Sequence, residues 1–247
     1  MKTNHISFFL MTAIAITSLF SCKKSALSPN STVASLSVVN ATVGASPVVV
    51  RIGNPNTIYS TLTSANKLNY GTSNLFSPIA GTNAFSFVQT TDTTHTLFSA
   101  NLSLQNANVY SLYLVGTVAQ TDTVFIHENL PIISKTDSIA SIRFVNLSSA
   151  NNAVSVDIKG QANGSEVANL NYKGHTTFKR YNADHTVASY VFEFRSVSTG
   201  TVLATYTLSG VNTNSTTVVN NARFHNQTIA LIGGGTAATS ALLVPNY

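Results

Sequence analysis

The sequence predicts an all-β fold of two tandem sandwich domains that follow a cleaved signal peptide. One observation is that short runs rich in Thr, Val, Ile, Phe and Tyr alternate with Asn, Gly and Ser. A second is that apolar and polar residues alternate with period two inside many of these runs. The third is an internal repeat with an offset of about 106 residues. Together they predict strands in two similar units.

The composition excludes several classes of protein. The 247 residues include 30 Ser, 32 Thr and 26 Asn, whereas only 9% are charged. Coiled coils, charged disordered chains and histone-like proteins all need dense charge. The net charge of +5 includes Lys2, Lys23 and Lys24 near the N-terminus, so residues 25–247 carry only 10 basic against 8 acidic groups. We therefore expect no nucleic-acid partner.

The N-terminus has the features of a secretory signal. Lys2 is followed by a mostly apolar stretch from Phe8 to Phe20. That stretch is too short for a permanent transmembrane helix, which needs about 20 residues. We therefore predict that residues 1–21 are a cleaved signal peptide.

The end of this segment, Leu19-Phe20-Ser21-Cys22, resembles the lipobox of bacterial lipoproteins. The resemblance implies that Cys22 is acylated and becomes the new N-terminus, with residues 22–33 as a lipid-anchored tether. A membrane is then a partner through this anchor, and the predicted location is the cell envelope, as an outer-membrane lipoprotein on the periplasmic or the surface face. The alternative is an ordinary signal that ends in a chance cysteine. Since Cys22 is the only cysteine, no intramolecular disulfide can form.

The repeat defines two domains, residues 34–133 and 140–247. Residues 34–40 (ASLSVVN) are echoed by residues 140–146 (ASIRFVN), and Leu68-Asn69-Tyr70 recurs as Leu170-Asn171-Tyr172. A period near 106 is too long for a solenoid repeat and matches an autonomous sandwich domain. The short connection at residues 131–139 predicts domains packed end to end or tilted against each other.

The strand pattern predicts antiparallel, immunoglobulin-like sandwiches of about seven strands per copy. In the second copy Val154, Val156 and Ile158 alternate with polar residues, and Asp157 is expected on the wet face. Asn40 and Asn146 end the first strand of each copy, and we interpret them as turn-forming residues rather than ligand contacts.

The repeated openings, together with residues 154–160 (VSVDIKG), resemble a bacterial family called domain of unknown function 4397. Arg143, Asn146, Asp157 and Gly160 stand in the order that the family pattern has, whereas Arg51 replaces the acidic residue in the first copy. The resemblance implies a β-sandwich and an exported address, and it implies no activity.

Catalytic motifs are missing from the sequence. No Gly-x-Ser-x-Gly elbow is present. His127-Glu128 begins like a zinc-protease motif but lacks the second His, and Pro131 would obstruct the helix that this motif requires. We predict a protein that is not an enzyme, with no catalytic residues, no metal site and no cofactor.

The best candidate ligand-binding surface is a basic and aromatic segment of the second copy. Cations and aromatic rings together can hold a sugar or an acidic patch. The opposing interpretation is a wet edge hairpin whose Lys residues prevent aggregation. The candidate residues are Tyr172, Lys173, His175, Lys179, Arg180 and Tyr181.

These observations predict a non-catalytic cell-envelope lipoprotein that acts as a structural, adhesion or interaction module. The alternative is an accessory glycan- or peptide-binding lipoprotein that uses the basic and aromatic segment as a hairpin. The possible partners are thus a glycan or another envelope protein.

Overall fold

A computed structural model describes residues 32–53, 66–215, 217 and 220–246. The predicted signal peptide, Cys22 and residues 23–31 of the tether lie outside the described residues. Sixteen strands are present in the described part of the chain. The first sandwich is defined by β1 (Ser35–Asn40), β2 (Val48–Ile52), β3 (Lys67–Leu68), β4 (Thr72–Phe76), β5 (Gly81–Gln89), β6 (Asp92–Leu104), β7 (Val109–Thr117) and β8 (Gln120–His127). The second sandwich is defined by β9 (Ile139–Asn146), β10 (Ala153–Ile158), β11 (Val167–Asn171), β12 (Lys179–Asn182), β13 (Ser189–Ser196), β14 (Val202–Ser209), β15 (Asn226–Gly234) and β16 (Ala237–Pro245).

The two sandwiches have the same topology. One sheet of each sandwich, here called the inner sheet, faces the other sandwich, and the inner sheets have the orders β4-β1-β7-β8 and β12-β9-β15-β16. The other two sheets, here called the outer sheets, have the orders β3-β2-β5-β6 and β11-β10-β13-β14. Each order in the second sandwich follows from the first by adding eight to every strand number. The predicted all-β fold with two tandem sandwiches is confirmed.

The strand count and the strand directions differ in detail from the prediction. Each sandwich has eight described strands rather than about seven, and β3, with two residues, is too short to give a periodic signal. Most pairs are antiparallel, but β1 runs parallel to β7 and β9 runs parallel to β15. Each first strand thus lies between an antiparallel neighbour and a parallel one.

Asn40 and Asn146 are buried turn residues, as predicted. The side-chain amide of Asn40 donates to the carbonyl of Leu68 at 3.1 Å, and its oxygen accepts from the backbone N–H of Thr42 at 3.1 Å. Asn146 repeats both contacts with the residues at equivalent positions in the second sandwich, Leu170 and Ser148. These bonds join the end of each first strand to the next loop.

A glycine occupies the same turn position in both sandwiches. Gly116 has φ +86° and Gly233 has φ +107°, both in the left-handed region. A Cβ atom at Gly116 would lie 2.3 Å from the carbonyl oxygen of Gln120, and one at Gly233 would lie 2.4 Å from that of Ala238. Both hairpins, β7–β8 and β15–β16, therefore require glycine at this point.

Each sandwich has its own hydrophobic core between its two sheets. Phe85 and Phe87 are the largest fully buried side chains of the first core, which also holds Leu36 and Leu112. The second core contains an aromatic cluster in which Phe144 meets Phe192 edge-on at 5.2 Å between ring centroids. Such contacts add to the free energy gained from burying the rings.

A third core, here called the interface core, joins the two inner sheets face to face. Ten of its eleven buried members come in pairs that occupy equivalent positions of the two sandwiches in the strand registers, and the eleventh, Val124, corresponds to the partly buried Leu242. The pairs are Val39 with Val145, Ala41 with Leu147, Tyr113 with Ala230, Val115 with Ile232, and Ile126 with Val244. The interface is therefore isologous, since both sandwiches use the same surface.

This arrangement corrects the expected end-to-end packing, since the two sandwiches share the interface core between their inner sheets. The inner strands β1 and β9 are buried almost along their whole length, on both faces. One face fills the core of its own sandwich and the other fills the interface core. The residues from Thr32 onward accordingly form one compact unit.

Shortening an interface-core side chain should destabilise both sandwiches. Leu147 is 1% exposed, so Leu147→Ala should lower the free energy of unfolding by about 2–5 kcal/mol through lost burial and a residual cavity. Urea titration followed by far-ultraviolet circular dichroism measures the change. The matched control is Ile132→Ala, since Ile132 is 91% exposed and should change the free energy by less than about 0.5 kcal/mol. An unchanged midpoint for Leu147→Ala would argue against a shared core.

Candidate binding cleft between the sandwiches

The basic and aromatic segment predicted as a binding surface is not a hairpin. β11 belongs to the outer sheet of the second sandwich and β12 to its inner sheet, so residues 172–178 cross from one sheet to the other. Within β12, Lys179 and Tyr181 point to one face and Arg180 to the opposite face. Neighbours in sequence are thus separated in space.

Tyr181 is a core residue. It is 5% exposed and packs edge-on against Phe192 at 5.4 Å between ring centroids. Its hydroxyl donates to the carboxylate of Glu166. Burial, and then the contact with Glu166, raise the pKa of Tyr181 well above its ordinary value. Its hydroxyl is therefore committed to a structural hydrogen bond.

The three cations of the segment are each paired with a carboxylate. Lys179 Nζ lies 2.8 Å from Glu166 Oε2, and Arg180 Nη1 lies 3.5 Å from Asp137 Oδ2. Lys173 pairs with Asp122 of the first sandwich, and this hydrogen bond lowers the pKa of Asp122. The pairs are partly exposed, so each contributes little to stability.

Tyr172 and His175 have different surroundings again. Tyr172 packs against the interface core, and burial raises its pKa. His175 forms a bridge with Val145 of β9 and lines a cavity at the junction of the sandwiches. Lys179 and Tyr181 contact each other, with Lys179 Nζ 5.6 Å from the ring centroid. Binding by these six residues remains a prediction.

The cavity that His175 lines, here called the interface cleft, has a volume of about 320 Å³. It lies where the end of β8 and the start of the linker meet β9 and the segment before β12. The lining residues are Ile126, His127, Glu128, Asn129, Pro131, Arg143, His175, Thr176, Thr177 and Phe178. Both sandwiches therefore contribute to one concave site.

A buried ion pair between the two sandwiches lines the cleft. Arg143 Nη1 donates to Glu128 Oε2 at 2.6 Å, and Nη2 donates to Glu128 Oε1 at 2.5 Å. The side chains are 3% and 0% exposed. The Phe178 ring covers the guanidinium, with its centroid 4.9 Å from Cζ. This two-point geometry fixes the two side chains more strictly than a single contact would.

The ion pair belongs to a longer polar network across the interface. Arg143 Nη2 also donates to the Tyr113 hydroxyl at 3.2 Å, and Nε donates to Thr228 Oγ1 at 2.8 Å. Thr228 in turn donates to Asn246 Oδ1 at 2.5 Å, and Asn246 Nδ2 donates to Ser111 Oγ at 3.4 Å. Polar groups of both sandwiches are thus linked in one connected chain of hydrogen bonds.

The two sandwiches differ at the positions of the ion pair. Arg143 of β9 corresponds to Ser37 of β1, as the registers with Thr228 and Ser111 show. Glu128 corresponds to Asn246 by its backbone hydrogen bond. The N–H of Glu128 donates to the carbonyl of Val109, two residues before Ser111, and the N–H of Asn246 donates to the carbonyl of Asn226, two residues before Thr228, both at 2.8 Å. The duplicated fold therefore accepts small neutral residues where the cleft has a charged pair.

The two histidines among the lining residues have different surroundings. The His127 ring stacks on Tyr110, with ring centroids 4.9 Å apart and planes at 24°. Burial, and then the nearby Arg143, lower the pKa of His175, while Glu128 opposes them. His175 is therefore neutral at pH 7, with one ring nitrogen as donor and the other as acceptor.

The other main cavity has different chemistry. It has a volume of about 420 Å³ and lies over the outer sheet of the first sandwich. Arg51 is its only titratable side chain among the described residues that line it, beside small and apolar neighbours such as Ala84 and Ser99. We therefore regard the interface cleft as the candidate site.

All eight acidic residues of the sequence are engaged in the structure. Six lie in ion pairs with Lys or Arg side chains, and two accept hydrogen bonds from threonines in turns. Hydrogen bonds from Thr94 and Thr186 lower the pKa of Asp92 and bring that of Asp184 to about 2. The ion pairs are Asp122–Lys173, Glu128–Arg143, Asp137–Arg180, Asp157–Arg195, Glu166–Lys179 and Glu193–Arg195.

Asp157, which the sequence places on the wet face of β10, is buried and paired. Arg195 Nε donates to both of its oxygens, at 3.1 and 3.3 Å. Within the described ranges, no group of three or more His, Cys, Asp or Glu residues could hold a metal ion. Nor does the described part of the chain contain a helix long and apolar enough to cross a membrane.

The sequence model of the family DUF4397, described as a domain of unknown function, matches residues 34–158. The match covers half of the chain. The protein belongs to the DUF4397 family. The DUF4397 match runs from the start of β1 to the end of β10, so it includes the whole first sandwich, Glu128 and Arg143. The predicted family is confirmed.

Comparison with solved structures gives a weak likeness to the crystal structure of a candidate adhesin from Bacteroides ovatus. The identity is 8%, with 84% of this chain and 90% of that chain covered, and the TM-score is 0.23. A TM-score this low supports no conclusion about the DUF4397 chain. No curated protein matches the sequence.

Sequence reasoning missed most of the cleft. It dismissed His127 and Glu128 as a metal motif, and it treated Arg143 only as part of the family pattern. The available signal was a single Arg inside an otherwise apolar strand, at a position where the first copy has Ser37. A charge in such a strand needs a buried partner.

A double-mutant cycle should show that Arg143 and Glu128 depend on each other. Arg143→Ser and Glu128→Asn should each cost about 3–5 kcal/mol, because each leaves one buried charge without its partner. The double variant should cost much less than the sum, since it installs the neutral pair found at Ser37 and Asn246. Unfolding free energies of the four proteins in urea measure the coupling.

The surface pair provides the control for this cycle. Lys179→Ala should change the free energy of unfolding by about 1 kcal/mol or less, because Lys179 is largely exposed. Additive costs for Arg143→Ser and Glu128→Asn would show that the two side chains act independently, against the geometry.

Proposed function

We propose that this protein is a non-catalytic lipoprotein of the cell envelope whose two sandwiches form one rigid interaction module. The observation that carries the non-catalytic part is the engagement of all eight carboxylates in ion pairs or turns. A general acid needs a pKa raised toward neutrality, whereas the resolved shifts of Asp92, Asp122 and Asp184 are all downward.

The N-terminal sequence supports the address in this proposal. A lone Cys22 follows Ser21 and an apolar stretch, and polar residues come after it. Acyl chains on Cys22 would hold the module at a membrane, because each buried CH₂ contributes about 0.8 kcal/mol. We assign the anchor to the outer membrane, with the sandwiches held away from the lipid by the tether.

The second sandwich is part of the same proposal. Its topology repeats that of the first, and residues 140–146 repeat residues 34–40. We infer that it is a second, diverged copy of the DUF4397 module. The isologous interface supports this inference, since two copies of one module can bury the same surface against each other.

The role of Cys22 can be tested by substitution in the bacterial host. The unaltered protein should be found in the membrane fraction and incorporate an alkyne-labelled fatty acid, whereas Cys22→Ser should lose both the label and the membrane association. Ser21→Ala is the matched control, because it keeps a small residue before the cysteine and should remain anchored. A Cys22→Ser protein that stays with the membranes would contradict the proposed anchor.

A further inference from the structure

We propose that the interface cleft binds one neutral sugar unit of a glycan, between the end of β8 and the segment that precedes β12. This inference builds on the proposed role as an interaction module and is independent of the lipid anchor. It moves the ligand site away from the basic and aromatic residues of β12 and toward residues that both sandwiches share.

The asymmetry of the duplicated fold is the first argument. Ser37 of the first sandwich is equivalent to Arg143, and Asn246 of the second sandwich is equivalent to Glu128. Buried ion pairs usually stabilise a fold no better than neutral side chains of similar volume. Stability alone therefore does not account for the charged pair, which is present at one of two equivalent positions and gives this cleft polar groups that its counterpart lacks.

The polar groups that face the cleft are the second argument. Arg143 has five N–H donors, and four of them meet Glu128, Tyr113 and Thr228. The second N–H of Nη1 has no acceptor among the described residues, although the side chain is 97% buried. The structure gives no hydrogen-bond partner for the ring nitrogens of His175 within its described ranges. These groups are available to a ligand.

The type of these groups favours hydroxyl ligands. A neutral imidazole, the Asn129 amide and the Thr177 hydroxyl each combine donor and acceptor capacity. A sugar hydroxyl has the same dual character, so it can pair with any of them. Phe178, Pro131 and Ile126 add apolar surface for the C–H face of a sugar ring.

The charge balance favours a neutral ligand over an acidic one. Arg143 and Glu128 cancel each other, and no Lys lines the cleft. His175 carries no charge at pH 7, because burial and Arg143 lower its pKa. An anion would lose its hydration without gaining a net positive partner. The volume of about 320 Å³ is at the lower end for a ligand site, which fits a single sugar ring.

A glycan array probed with the purified protein tests this proposal. Neutral glycans should bind and acidic glycans should bind no better than their neutral counterparts. Titration calorimetry with the strongest neutral oligosaccharide then compares variants: His175→Ala and Asn129→Ala should each weaken binding by about tenfold or more, since each removes a hydrogen-bonding group at the cleft.

Matched controls make the site assignment specific. His185→Ala and Asn163→Ala remove the same side-chain types at exposed positions outside the cleft, and should leave the affinity unchanged. All four substituted residues are exposed or at a rim, so circular dichroism should show unaltered folding. Arg180→Ala, on β12, should also leave binding unchanged.

Four results would overturn the cleft proposal: no neutral glycan bound, binding of acidic glycans or peptides alone, binding unaffected by His175→Ala and Asn129→Ala, or binding lost in Arg180→Ala. None of them bears on the anchor. A protein that is lipid-anchored but binds no neutral glycan contradicts the cleft alone, whereas glycan binding by an unanchored protein contradicts the proposed address alone.

Discussion

The buried ion pair between Glu128 and Arg143 is the constraint on which the arrangement of the two sandwiches depends. The interface core supplies apolar area, but apolar contact is not directional and could be made in several registers. Two hydrogen bonds of 2.5 and 2.6 Å between groups on different sandwiches allow one register only. We therefore interpret the apolar surface as the source of the free energy of docking, and the ion pair with its network as the source of its specificity.

The fold was predictable in kind because strand patterns are local properties of the sequence, and the similarity of residues 34–40 to residues 140–146 is visible in the sequence itself. Alternation at Val154, Val156 and Ile158 reports one buried face, and the structure confirms it. The face-to-face docking was not predictable, because a strand that is apolar on both faces must be covered on both sides, but its pattern does not identify the covering element. In β9 the second apolar face, at Val145 and Leu147, belongs to another sheet altogether. Periodicity indicates that one face of a strand is buried, but it does not indicate which element covers that face.

The candidate site shows the same limit more sharply. Residues 172–181 are rich in cations and rings, but the chain changes sheets within this segment, and Asp122, Asp137 and Glu166 neutralise its cations from distant positions. The sequence of this segment shows which residue types it contains, but it does not show which carboxylates pair with its cations. The cleft, in contrast, is assembled from the end of the first sandwich and the start of the second, so no single segment of the sequence contains it. The one indication in the sequence is Arg143, a charged residue in a largely apolar strand, at a position where the first copy has Ser37.

Cooperativity between the sandwiches tests the central claim most directly, namely that a shared core and one ion pair make them a single body. Differential scanning calorimetry of the purified protein should show one unfolding transition, with a calorimetric enthalpy equal to the van't Hoff enthalpy. Two resolved transitions, or a calorimetric enthalpy near twice the van't Hoff value, would show that the sandwiches unfold independently and would contradict the account.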